Sequence, residues 1–189
     1  MSMDFNNAES NTSFDLIPSG TIAPMILTIK PGSTGEGGWE STSDSSAYTW
    51  LNCEFTITEG KYANRKFWQN MMVTGPSEQA INITRSTLRG ILESGRKVKP
   101  EDESEEAKAK RIVKSYGDFS GLEFVGKIGI DKQKPGSQYN DSNKLVAAVP
   151  FGSKDYSTAG ANSAPSTSAG GNTPSPSNSN SNAVPDWAA

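Results

Sequence analysis

The chain has 189 residues, a net charge of −3 and only 33 % apolar residues, with no histidine and a single cysteine. Without histidine there is no Ser-His-Asp catalysis, no imidazole metal ligand and no histidine pH switch, and one cysteine allows neither an internal disulfide nor a thiolate metal cluster. No apolar run approaches the roughly 20 residues of a membrane span, and the N-terminal MSMDFNNAES lacks the pattern of a signal peptide, so a soluble, intracellular protein without cofactor is expected.

Residues 1–13 are polar and read as a flexible arm. Residues 20–30 (GTIAPMILTIK) predict a first strand, with Pro24 suggesting an edge position or a bulge because proline gives no ladder donor. A glycine-rich loop follows at residues 31–39 (PGSTGEGGW); it lacks the lysine and spacing of a phosphate-binding loop and reads as a long flexible connection.

Residues 48–73 (YTWLNCEFTITEGKYANRKFWQNMMV) carry the strongest pattern in the chain. Leu51, Cys53, Phe55 and Ile57 alternate with Tyr48, Trp50, Asn52, Glu54 and Thr56, the period of two of a half-buried strand. Residues 60–65 reverse the chain, with Asn64 suited to a left-handed conformation. The return strand places Phe67, Met71 and Val73 inside and Lys66, Trp68, Asn70 and Met72 outside.

Beyond Gly75-Pro76 the period becomes helical. Ile81, Thr84, Leu88, Ile91 and Leu92 share a face, Ser77 is the expected N-cap and Gly95 the expected stop. Arg85, Arg89 and Arg96 lie opposite and read as a solvated face paired with Glu78 and Glu93. A second helix is predicted over residues 102–114, acidic at its start and basic at its end, weakly docked for want of apolar surface. The run EDESEE at residues 101–106 reads as a solvated helix start, and setting it aside leaves the remainder near neutral. Strands are predicted at residues 122–131 and 144–149, joined by a turn-rich loop.

Five strands with helices between the third and fourth suit a mainly β (α+β) fold, a partly open barrel of the OB type; an antiparallel sandwich could use the same strands. The domain is expected over residues 14–156. Residues 157–189 are Ser, Asn, Gly and Pro with almost no charge and cannot bury enough apolar area to fold. They end in VPDWAA, where Asp186 and Trp187 form a short acidic-hydrophobic tip.

Tyr48, Trp50 and Trp68 offer rings for bases, and Lys61, Arg65 and Lys66 offer cations for phosphates, a combination that holds single-stranded nucleic acid. Trp39, Lys127 and Lys132 are secondary candidates on flanking loops and a late strand. Each has a plainer reading: tryptophans fill cores, and turn lysines are commonly solvated. Asp118, Glu123 and Asp131 show no spaced acidic motif for Mg²⁺.

The blocks LNCEFTITEGKYANRKFWQNM and GDFSGLEFVGKIGIDK, with the STLRGILES helix between them, resemble a family of small phage-encoded OB-like proteins, some described as single-stranded-DNA-binding. The resemblance spans most of residues 17–150. It implies a non-enzymatic protein that coats strands in replication or recombination in the bacterial host cytoplasm, and it brings no catalytic residues. Asn64 stands where glycine would be commoner. A tether ending in an acidic-hydrophobic tip is also the layout by which bacterial single-stranded-DNA-binding proteins recruit replication or recombination partners, although this tip has one acid and a tryptophan in place of a terminal phenylalanine. The alternative function is a protein-interaction or scaffold module that does not touch nucleic acid, which the negative charge favours. A metal-dependent nuclease is third.

Overall fold

Alternation in the sequence becomes one antiparallel sheet. A computed structural model describes residues 15–43 and 47–161. In chain order the strands are β1 (Ile22–Lys30), β2 (Ser41–Thr42), β3 (Thr49–Ile57), β4 (Lys66–Thr74), β5 (Leu122–Asp131) and β6 (Ser142–Ala148). The helices are α1 (Glu78–Gly95), α2 (Glu105–Lys110) and α3 (Lys154–Ala161). β3 pairs with β4 along one edge and with β1 along the other; β1 continues to β5 and β5 to β6. The two-residue β2 takes the edge of β3 at Thr49 and Trp50, beyond the last β1 pair at Asn52.

All described strands therefore belong to one sheet, not to two facing sheets. The sheet curls until β4 and β6 approach each other, but among the described residues no ladder joins them, so the expected five-stranded barrel is not closed. A side chain spans the gap instead: the Leu145 N–H donates to Gln69 Oε1 at 2.9 Å.

The inward rows meet in the core. Met25, Leu27 and Ile29 of β1 pack with Leu51, Cys53, Phe55 and Ile57 of β3, and with Phe67, Phe124, Ile128 and Leu145. Phe55 stacks on Phe67 at 5.0 Å between centroids and takes the edge of Phe124 at 6.2 Å. Fully burying each such side chain contributes about 1.5–3 kcal/mol. Cys53 is a buried hydrophobe here, and desolvation pushes its thiol up to about 12.

The expectation that Pro24 marks an edge is corrected, because β1 is central. Pro24 lies one residue beyond the first β1–β3 pair, Met25 with Ile57, where its carbonyl accepts from the Thr58 N–H at 3.0 Å. A strand residue's N–H and C=O point the same way, so the missing donor falls past the end of β3 and no ladder bond is lost.

α1 covers the gap between β4 and β6 with Thr84, Leu88, Ile91 and Leu92 buried, and Ser77 caps it by accepting from the Ala80 N–H at 3.3 Å. Gly95 is the last residue of α1, but its role is close approach: a Cβ there would stand 2.7 Å from the Glu123 carbonyl oxygen of β5.

α2 is half the length expected for the second helix, and the residue that follows it, Arg111, carries the main tie to the rest of the fold. Only Ala107 is buried on it, and Arg111 ends it by reaching elsewhere. Its guanidinium donates to Glu93 Oε1 at 2.7 Å, to the Asp102 carbonyl at 2.7 Å and to the Lys99 carbonyl at 3.1 Å.

The glycine loop is likewise ordered by its own bonds. Gly32, Ser33 and Thr34 donate to the carbonyls of Gly38 and Glu40, while the Glu40 N–H returns to Thr34.

α3 runs past residue 156, where the tail was expected to begin. Ala159 is buried with Val125 and Val149, and the Tyr156 hydroxyl donates to the Ser94 carbonyl at 3.2 Å. The folded part thus reaches Ala161.

Candidate nucleic-acid interface

The outer face of the β3–β4 hairpin is a grid fixed by strand register. Trp50 faces Met72, Asn52 faces Asn70, Glu54 faces Trp68 and Thr56 faces Lys66. β1 extends the grid, with Thr28 opposite Glu54 and Lys30 opposite Asn52. The hairpin turn forms as expected, with Asn64 at φ 66° and its N–H donating to the Ile57 carbonyl at 2.8 Å.

Glu54 organises the middle of this face. It is 9 % exposed, and its carboxylate accepts from Lys66 Nζ at 2.7 Å, from Lys30 Nζ at 3.0 Å and from Trp68 Nε1 at 3.0 Å. The hydrogen bonds from Lys66, Lys30 and Trp68 hold its pKa down to about 2. The indole of Trp68 is thereby fixed by its edge while the residue stays 59 % exposed. A tryptophan so exposed adds little to the core, and a held, open ring is what a base needs in order to stack.

Trp68 also borders a groove of about 600 Å³ along the open side of the sheet, lined by Leu16, Arg65, Lys66, Phe67, Asp141 and Asn143 among others. The strand gap and the aromatic face therefore meet. Arg65 donates to the Asp15 carbonyl at 2.6 Å, which ties the described N-terminal end to the groove. Lys132 is exposed at the base of the loop joining β5 and β6, next to Gln133, whose N–H donates to Asp141 Oδ1 at 2.9 Å.

Tyr48 and Trp50 form a second cluster, with centroids 5.5 Å apart and planes tilted by 47°. Trp50 is half-buried, and its Nε1 donates to Asn52 Oδ1 at 3.0 Å while Asn52 in turn donates to Ser41 Oγ at 2.7 Å. Trp50 and Trp68 are four register positions apart, about 13 Å at roughly 3.3 Å per residue. The face carries two aromatic stations with the two asparagines between them.

Three sequence candidates do not join this face. Trp39 is half-buried, and a Cβ on Gly117 would come within 2.5 Å of its ring, so it anchors the glycine loop against the 3₁₀ turn Tyr116–Phe119. Lys127 is exposed on β5 opposite Ile22, two strands away from β3 around the curled sheet. Lys61 sits at the tip of the turn with its Nζ 5.3 Å from the centroid of Tyr62, and it lines a separate cleft with Ile22, Pro24 and Ala159. Asp186 and Trp187 lie outside the described residues.

Sequence reasoning missed Glu54, Lys30 and the groove wall at Asp141–Asn143. Alternation placed Glu54 on the outer face, but nothing local pairs it with Lys30, which comes from another strand.

The carboxylates considered for Mg²⁺ are engaged elsewhere. Asp118 accepts from the Lys114 N–H at 2.7 Å, Glu123 accepts from Thr58 Oγ1 at 2.9 Å and Asp131 pairs with Lys144 at 2.8 Å. Among the described residues, no group of three or more Cys, His, Asp or Glu is placed to hold a metal ion, and no helix is long and apolar enough to cross a membrane. Comparison with known proteins finds no matching family model, no matching curated protein and no matching solved structure.

Proposed function

We propose that this chain is a non-enzymatic single-stranded-DNA-binding protein, of the kind that phages use in replication or recombination, built on an OB-type barrel left open between β4 and β6. The observation that carries the reading is Trp68: an exposed indole, held by its N–H on the carboxylate that also pairs with Lys30 and Lys66, and bordering a groove. The connectivity supports it. Counting the long strands alone, the second and third (β3 and β4) form the aromatic face, the fourth and fifth (β5 and β6) are joined by the loop beside the groove, and α1 lies between the third and fourth. OB folds bind oligonucleotides on that strand pair and with that loop. Bases would stack at Trp68 and at the Tyr48–Trp50 station, with Arg65, Lys66 and Lys132 meeting phosphates.

The test is a fluorescence titration with oligo-dT and with duplex of equal length over a range of salt. Quenching by the single strand, weaker binding of duplex and a modest salt slope are expected, because every base has a ring face to stack and the protein is not basic overall. Equal affinity for duplex, or no binding at low salt, refutes the reading.

A second reading, a protein-interaction module, draws on another surface. Ile83 on α1 and Val146 on β6 are 59 % and 53 % exposed across a groove of about 660 Å³. Absence of quenching by oligo-dT would favour it.

A further inference from the structure

We infer that Glu54 is a specificity-determining residue that makes the face prefer single strands to other polyanions. The inference rests on the nucleic-acid reading above and deepens it. Lys30 and Lys66 reach Glu54 from strands on either side of β3, at 3.0 and 2.7 Å, and their side chains remain 53 % and 49 % exposed while that of Glu54 is 11 % exposed. Both ammonium groups are open to a phosphate but already have an anion. A phosphate that takes either lysine exchanges one carboxylate contact for another anionic contact, and it must also sit beside a carboxylate that stays in place. Its net gain from charge is small.

A ligand bringing only phosphates is therefore held weakly here. A ligand bringing an unpaired base gains the stacking on Trp68 as well, and Glu54 supports that contact by fixing the indole through its N–H. One side chain thus weakens the contact common to all polyanions and supports the one that single strands alone can make. This is discrimination by opposing the wrong partner as well as favouring the right one. It also fits an interface on a chain whose net charge is −3.

The test compares wild type with Glu54→Gln and Glu54→Ala on oligo-dT, a duplex of equal length and heparin. Glutamine keeps the length and an oxygen that can accept from the indole but removes the charge. In E54Q the affinity for duplex and heparin should rise at least tenfold, with a smaller rise for oligo-dT. The single-strand salt slope should steepen by about 0.7 for each lysine released to a phosphate. In E54A the charge and the acceptor are both lost, so the polyanion gain should persist while oligo-dT gains less than in E54Q and the polarisation of Trp68 emission falls. Thermal melting of each variant keeps loss of fold apart from loss of specificity. Wild type that prefers oligo-dT, with folded E54Q keeping the same ratio to duplex and heparin, overturns the role of Glu54 and leaves the functional reading standing. No oligo-dT binding by wild type or E54Q overturns both.

Discussion

At the scale of single residues, burial separates tryptophans that the sequence could not rank. Trp68→Ala should leave melting nearly unchanged, because the residue is 59 % exposed, and should cost about 1–3 kcal/mol of binding to oligo-dT. Trp39→Ala should do the reverse, lowering the melting temperature with strand affinity kept, since its ring packs on Gly117 and not on the open face. Glu54 supplies a pH signature whose sign can be worked out. Its pKa is lowered from 4.5 to about 2, chiefly by Lys66 and then by Lys30 and Trp68, so between these values the unfolded chain binds the proton and the folded one does not. Its contribution is complete above about pH 4.5 and is lost as pH falls through about 2. Urea midpoints of wild type and E54Q should converge as pH is lowered across that window; a constant difference would mean the carboxylate does not act through its charge. Of these residues, the outward placement of Trp68 was legible in the alternation of β4. Its exposure was not, because exposure depends on what covers a sheet face, and the tie to Glu54 depends on cross-strand register.

At the scale of elements, legibility followed the range of the interactions that make each one. β3, β4 and α1 carry their own signal: a period of two, a left-handed asparagine in the turn, a serine cap and an apolar stripe. β5 was read to the residue from its run of apolar residues, although its burial does not alternate. The elements that were misjudged are those set by distant partners. α2 was given a length by its charge gradient, whereas Arg111, bound to Glu93 of α1 and to the carbonyls of Lys99 and Asp102, decides where it ends. Arg111→Ala should therefore cost about 1.5–3 kcal/mol by removing charged hydrogen bonds, less than a fully orphaned buried charge would, because Arg89 still pairs with Glu93 at 2.8 Å. Hydrogen exchange should quicken selectively over residues 99–112. Exchange that quickens equally through β3 and β4 would place the clamp in the global core and not between two helices. β2 and α3 were missed altogether: one is two residues long, and the other is held by Ala159, buried among its described side chains, and by a tyrosine whose hydroxyl finds Ser94 far back in the chain.

At the scale of the whole molecule, the curled sheet explains why one face can be given to a ligand. The core is closed by α1 across the gap between β4 and β6, so the β3–β4 exterior is not needed for burial and can carry polar and aromatic side chains. The same division extends to the C-terminus. α3 belongs to the fold, because Ala159 covers Val125 and Val149 on the outside of the sheet. Residues 162–189 have a composition too poor in apolar side chains to add to a core. Ending the chain after Ala161 should thus leave the melting temperature and oligo-dT affinity nearly unchanged, while ending it after Pro150 should lower both stability and solubility by uncovering that patch. If the tip recruits a replication or recombination protein, Trp187 is its one large anchor and Asp186 its one acid. Trp187→Ala should then reproduce the Ala161 truncation in a pull-down with a purified partner and differ from wild type only there. Identical recovery of the partner by all three proteins would leave the tail as a solubilising extension, and a lower melting temperature on truncation after Ala161 would mean that the fold continues beyond α3.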